Sequence, residues 1–173
     1  MDRKRIGIVL AVLIGFFLIA PVSADSQVDV GIHIPYRIGI ESEEEDFDQA
    51  IEYAFLVPDL KWNYFFLDDA LKVGVGARMF TVILESFVYP IVTVEAEVEN
   101  FVFSAHAGGF AFLFFGLYND VQTGSIFLPE VSVAYKFNDW FSLGTGAMFF
   151  FAPEAADFNN FAYVGDVFAR FTF

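Results

Sequence analysis

Between Val28 and Ile40 the chain alternates without a break. Val28, Val30, Ile32, Ile34, Tyr36, Ile38 and Ile40 fall on one face of an extended chain. Asp29, Gly31, His33, Pro35, Arg37 and Gly39 fall on the other. Strand side chains point to opposite faces in turn, so a two-residue period this long specifies a strand with two unlike environments. The pattern recurs near 50–57, 71–84, 90–98, 101–115, 125–137, 140–151 and 161–173. Val92, Val94 and Ala96 oppose Thr93, Glu95 and Glu97. Phe141, Leu143, Ala147 and Phe149 oppose Ser142, Gly144 and Gly146. Pro58-Asp59 predicts a bulge or a strand end, and 61–67 has no clear place. Glu99-Asn100 and Asn138-Asp139 read as tight turns, whereas 41–49, 116–124 and 152–160 are longer and polar, with a shorter loop at 85–90.

The N-terminal stretch has a different character. Arg3, Lys4 and Arg5 precede an apolar run from Ile6 to Ala20, and Pro21 and Val22-Ser23-Ala24 follow. A basic start, a short apolar run and small residues form the pattern of a secretory signal peptide, with cleavage expected after Ala24. The run is short for a membrane span, which takes roughly 20 residues. Residues 1–24 are therefore expected to be removed and 25–173 to form the folded domain.

Composition decides what kind of β-protein this is. Hydrophobic residues make up 57% of the chain and aromatics 20%, with 25 Phe, while charged residues are 18%. The absence of Cys removes disulfide frameworks, thiolate metal sites and Cys nucleophiles. A net charge of −14 argues against a nucleic-acid partner. A soluble barrel of eight strands has too little interior to hide this much Phe. Lipid accepts it on the outer face, provided the sheet closes and leaves no unpaired backbone in the hydrocarbon. Aromatics also gather at strand ends, at Trp62 and Tyr64, Phe137, Trp140 and Phe141, Phe171 and Phe173, where an interfacial girdle would lie. The expected fold is an all-β, eight-stranded, antiparallel up-and-down transmembrane barrel, with periplasmic termini.

The tail Phe168-Ala169-Arg170-Phe171-Thr172-Phe173 resembles the C-terminal signal of bacterial outer-membrane β-barrels, in which a final aromatic follows alternating apolar residues. Phe171 and Phe173 match that signal, while Phe168 stands where a Gly is usual. In length and strand number the chain is similar to the class of the OmpA transmembrane domain, OmpX and OmpW. The resemblance implies an outer-membrane location, a lipid surround, and recognition by the barrel-assembly machinery during biogenesis. It implies no cofactor.

The inward face is expected to carry Arg37, Lys72, Arg78, Lys136 and Arg170 together with Asp29, Glu52, Glu95, Glu97, Glu130 and Asp166. An eight-stranded barrel is just wide enough to be filled by its own side chains. Desolvated charges must then pair, so these residues predict an interior salt-bridge network, or a narrow gated path made of the same groups. Two turn residues at Glu99-Asn100 would set Glu95 opposite Ser104 and Thr93 opposite His106. Ser104, His106 and an acid compose a nucleophile, a base and an orienter if they meet. The acidic run Glu41, Glu43, Glu44, Glu45, Asp46, Asp48 reads as a solvated loop. Phe112 to Phe115 and Phe149 to Phe151 read as an outer girdle or as the lining for an apolar ligand. Asp69–Phe80 and Asp139–Phe150 echo each other, with Gly at 74, 76, 144 and 146 making room in the lumen. The functional expectation is a non-enzymatic barrel with a structural or surface role, or a narrow channel for small or apolar solutes. The alternatives are a lipid A-modifying barrel enzyme and an adhesin acting through its loops.

Overall fold

A computed structural model describes residues 26–41, 47–68, 70–82, 84–151 and 161–173. The expected signal peptide and most of the expected loops at 41–49 and 152–160 lie outside the described residues. The elements are β1 (Ser26–Glu41), β2 (Phe47–Ala50), β3 (Val57–Asp68), β4 (Leu71–Val82), β5 (Glu85–Val98), β6 (Phe101–Gly108), β7 (Phe112–Gly116), β8 (Gln122–Gly124), β9 (Leu128–Asn138), β10 (Phe141–Phe151) and β11 (Phe161–Thr172). Pairing runs β4-β3-β1-β11-β10-β9-β6-β5, and β5 pairs back onto β4. The sheet is therefore a closed antiparallel barrel of eight strands in up-and-down order, with no free edge in the ring.

The three short strands belong to positions already in the ring. Along β1, Ser26 to His33 pair with β3 and Arg37 to Ile40 pair with β2, so β2 and β3 are one strand interrupted at 51–56. Along β5, Ile91 to Val98 pair with β6 and Glu85 to Val88 pair with β7. The predicted strand 101–115 is thus broken at Gly109, whose φ of 85° is a conformation that favours glycine. β7 carries β8 beside it. The 85–90 segment, predicted as a loop, is strand: Val82 pairs with Glu85, and Leu84 supplies the turn with φ 69°. Residues 61–67 also find their place, within β3.

The two faces have opposite chemistry. Val30, Ile32, Val92, Val94, Val131, Leu143 and Val167 stand exposed on the outside. Asp29, Asp59, Lys61, Asn63, Arg78, Thr93, Glu95, His106 and Glu130 are buried inside. A barrel with apolar residues outside and charge inside is built for hydrocarbon. At the end carrying the Glu99-Asn100 turn, Trp140 stacks on Phe171 at 5.9 Å with ring planes 15° apart, and Tyr135 packs edge-on against Phe101 and Phe137. This is the aromatic girdle expected where barrel meets headgroups. Phe173 continues the seam: its N–H donates to Val28 O at 2.8 Å, and Val28 N–H donates to Phe173 O at 3.0 Å.

Candidate functional site

The lumen is layered along its axis, and the layers follow from which residues each strand turns inward. At the mouth bearing the girdle, Lys136 donates to Glu97 at 2.6 Å, and both side chains keep part of their exposure. Lys72 and Arg170 line the same mouth, which encloses about 130 Å³. One layer deeper, Lys61 Nζ lies 3.0 Å from Asp29 and 3.5 Å from Glu95, with Lys61 2% and Asp29 1% exposed. Gln27 and Thr172 each donate to Asp29 Oδ1, and Ser104 donates to Glu95 at 3.2 Å. Arg170 stacks over the Phe168 ring at 4.9 Å and reaches 3.9 Å from Glu95. Beside them Thr93 donates to Asn63 at 2.9 Å and accepts from His106 Nδ1 at 3.0 Å. A hydroxyl has one proton to give, so the His106 proton sits on Nδ1.

The next layer is centred on Arg78. Its Nε donates to Asp59 at 2.8 Å, and its Nη1 pairs with Glu130. His33 Nδ1 donates to Asp166 Oδ2 at 2.8 Å. An ionised carboxylate only accepts, which fixes a proton on that nitrogen. His33 Nε2 lies 3.3 Å from Asp59 and 3.4 Å from Arg78. Phe168 is buried among these charges, 5.1 Å from the His33 ring. It has room because its neighbour on β10 is Gly144, where a Cβ would stand 2.5 Å from the ring tip.

Above this layer the lumen turns apolar. Tyr89, Ile91 and Leu128 pack with Phe80, Phe87, Phe112, Ile126 and Phe150 along one side. Among the described residues the other side is not filled. A cavity of about 240 Å³ lies against Phe80, Met148, Phe150 and Val164, with Ile51 and Phe55 from the 51–56 link, and its floor is His33, Arg78 and Asp166. Part of Ile38 and Phe55 remains exposed, so the cavity reaches the surface among the described residues. It shares no lining residue with the cavity at the other mouth. Between the two lie Lys61, Asn63 and Thr93, each 2% exposed or less.

The residues expected to form an interior charge network are sorted by this geometry. Lys72, Arg78, Glu95, Glu97, Glu130, Lys136, Asp166 and Arg170 line the lumen or its mouth. Arg37 and Glu52 do not join them. A β-bulge interrupts the β1–β11 register between Pro35, opposite Asp166, and Arg37, opposite Gly165. The extra residue, Tyr36, reverses which residues face inward beyond it. Ile38 therefore lines the cavity, although the sequence places it on the lipid face. Arg37 stands outside, about half exposed, and its Nε donates to Asp48 at 2.7 Å. Glu52 is exposed in the link between β2 and β3. Sequence reasoning misses Asp59, Lys61 and Asn63, although their signal is legible: polar residues at every second position, with Leu60, Trp62 and Tyr64 between. Pro58 masks it by suggesting a strand end. It is instead an outward residue of β3, opposite Ile32.

Ser104 and His106 face inward in the expected register, opposite Glu95 and Thr93. Ser104 donates to the Glu95 carboxylate and His106 binds Thr93, so these contacts link the serine to an acid and the histidine to a hydroxyl. A serine nucleophile needs its hydroxyl on a base.

No protein-family model matches the chain, and no curated protein matches it. Solved structures do. Neisserial surface protein A is similar over 87% of this chain and 98% of its own, at 11% identity and a TM-score of 0.50. The N-terminal barrel domain of Pseudomonas aeruginosa OprF is similar over 84% of this chain and 97% of its own, at 10% identity and a TM-score of 0.48. Yersinia pestis Ail is similar over 87% of this chain and 100% of its own, at 10% identity and a TM-score of 0.39. The first of these likenesses establishes the fold as that of a small outer-membrane β-barrel.

Proposed function

We propose that this protein is a non-enzymatic outer-membrane barrel that receives a small apolar molecule in a blind cavity near its outer end. The observation that carries the reading is the separation of the two cavities by a buried ionic layer. A water-filled path requires a continuous polar lumen, and here Lys61 and Arg170 balance Asp29 and Glu95 with little exposure. Moving ions through that layer would mean breaking buried pairs, each worth several kcal/mol to an unpaired charge. A roomy apolar cavity above a polar floor is instead the usual make-up of a ligand site.

Two further readings belong to the same proposal. The signal-peptide pattern implies a mature N-terminus at Asp25, which N-terminal sequencing of protein extracted from outer membranes reads directly. Phe171 and Phe173 serve as the aromatic tail read by the assembly machinery. Polar replacement of both is expected to leave the chain in the periplasm, unfolded and protease-sensitive.

The deciding experiment is electrical. Membrane-extracted protein inserted into planar bilayers is expected to remain silent while showing heat-modifiable migration in detergent gels. Steady single-channel openings from the folded protein would overturn the blind-cavity reading.

A further inference from the structure

The cavity near the outer end has apolar walls, and its floor is closed by contacts of its own. Phe55, Phe80, Phe150, Ile38, Val82 and Val164 are among the walls, and His33, Arg78 and Asp166 form the floor. The floor side chains are nearly buried, at 8%, 4% and 13% exposure. Each nitrogen of their side chains already has a partner. Arg78 Nε donates to Asp59 at 2.8 Å, Nη1 pairs with Glu130, and Nη2 lies 3.4 Å from His33 Nε2. His33 Nδ1 donates to Asp166 Oδ2 at 2.8 Å. The other oxygen of that carboxylate, Oδ1, is buried and turned toward β10, 3.5 Å from where a Cβ on Gly146 would stand. Gly146 does not line the cavity. The charges under the cavity thus face one another, and the surface that bounds the cavity is almost wholly apolar among the described residues.

A polar group carried down to such a floor leaves its water behind and finds no partner, which is the costly case for any donor or acceptor. A hydrocarbon end gives up nothing there. Resting on the reading of this cavity as a ligand site, we infer that the site is one-ended: its ligand sets a bare hydrocarbon end against His33, Arg78 and Asp166, and any hydroxyl, amine or carboxylate stays at the mouth. The mouth can hold such a group because the cavity reaches the surface beside Ile38 and Phe55, which are 38% and 43% exposed. Volume sets the size of the buried part. An apolar cavity of about 150 Å³ accepts benzene, so about 240 Å³ takes about ten carbons. The ion pairs of the floor then set specificity by being closed, not by offering a contact.

The test compares three molecules on one skeleton: para-diethylbenzene has no polar end, para-ethylphenethyl alcohol has one, and para-benzenediethanol has two. Membrane-extracted protein, labelled at its methionine methyl groups, is titrated with each in lipid nanodiscs. Met148 lines the cavity, whereas Met79 faces away from the lumen on β4 and gauges how much probe the lipid holds. Compared at equal amounts in the lipid, the hydrocarbon and the mono-alcohol are expected to saturate the Met148 signal within about threefold of each other. The diol is expected to need about tenfold more or higher, because one of its hydroxyls must meet the floor. Val164→Phe, which fills the cavity, is expected to remove the Met148 response to all three while Met79 still responds. Heat-modifiable migration checks that this variant folds, and a folded variant that keeps the response would overturn the site. Because the ranking is measured on the wild-type protein, it stands even if that variant fails to fold. Saturation by the diol as readily as by the hydrocarbon would overturn the closed floor and leave the cavity as a ligand site. A mono-alcohol as weak as the diol would overturn the one-ended orientation. A Met148 signal that follows Met79 for every probe would overturn ligand binding in the cavity itself.

Discussion

His33 and Asp166 sit on the two strands that close the barrel, and their 2.8 Å contact crosses the seam between β1 and β11. The same imidazole reaches Asp59 on β3 from its other nitrogen, so one ring ties three neighbouring strands together inside the lumen. Replacing it by an apolar residue leaves Asp166 without its ionic partner and Asp59 with Arg78 alone. His33→Leu is expected to lower the unfolding free energy by about 3–5 kcal/mol, the usual cost of breaking a buried pair. Denaturant titration of the barrel, followed by heat-modifiable migration, measures it. A loss under about 1 kcal/mol would mean that the cluster is better hydrated than its burial indicates.

Depth in the lumen should grade the importance of the lysines. Lys61 is 2% exposed between Asp29 and Glu95, and Lys61→Met is expected to cost about as much as His33→Leu. Lys136 pairs with Glu97 at the open mouth, where side-chain exposures are 28% and 34%. Solvent screens that pair, and Lys136→Met is expected to cost less than about 1 kcal/mol. The same denaturant titration compares both.

Gly144 and Phe168 should behave as one unit. A Cβ at 144 meets the Phe168 ring at 2.5 Å and the Val133 carbonyl at the same distance. Gly144→Ala is therefore destabilising by about 1–3 kcal/mol, the range for overpacking. Phe168→Leu alone opens a void and is also destabilising. The double variant is expected to recover part of the Gly144→Ala loss, and a double-mutant cycle gives the coupling. Strict additivity would show that the Val133 carbonyl, and not the ring, is what excludes a side chain at 144.

On the outer surface, beyond the lipid-facing belt, Arg37 holds Asp48 in its charged form. Its hydrogen bond, with a further one involving Tyr163, lowers the Asp48 carboxyl to about 2. A lowered carboxylate pKa means that the contact is intact at neutral pH and is lost only as the pH falls through that value. Arg37→Gln is expected to return Asp48 toward its ordinary 3.8. Carboxyl carbon chemical shifts against pH read the change. Both groups are exposed, so thermal stability at neutral pH should hardly move.

The sequence made some of this architecture plain and hid the rest for definite reasons. Glu95 opposite Ser104 and Thr93 opposite His106 follow from a tight turn at Glu99-Asn100, because a two-residue turn fixes the register of its hairpin. The polar inward face of β5 and the glycines of β10 were legible from alternation alone. Alternation fails where a residue is added without changing the pattern. The bulge at Tyr36 left the run from Val28 to Ile40 perfectly periodic, so nothing in the letters placed Arg37 outside. The cavity was beyond reach for another reason. It depends on Ile51 and Phe55 from the link between β2 and β3, residues that read as one unbroken strand. Closure between chain-distant elements is a tertiary outcome that local period does not carry.

That bulge also sets where the barrel changes its character. Below Tyr36 the even-numbered residues of β1, Val30 and Ile32, face the bilayer and the odd-numbered ones, Asp29 and His33, face the charged interior. Above it Ile38 belongs to the cavity and Arg37 to the outer surface. The same greasy stripe thus serves as a coat on one stretch and as a lining on the next, and a single unpaired residue turns the garment inside out. The opposing strand runs on without a gap, Asp166 against Pro35 and Gly165 against Arg37. A chain lacking Tyr36 would therefore straighten β1 and keep both stretches facing as they do now. Giving Tyr36 a partner, by one added residue between Gly165 and Asp166, would do the reverse. The parity of Asp29 and His33 would then run to the rim, the Arg37 guanidinium would enter the lumen and Ile38 would turn to the outer surface. An apolar chamber would become a charged throat by the addition of one letter on the neighbouring strand.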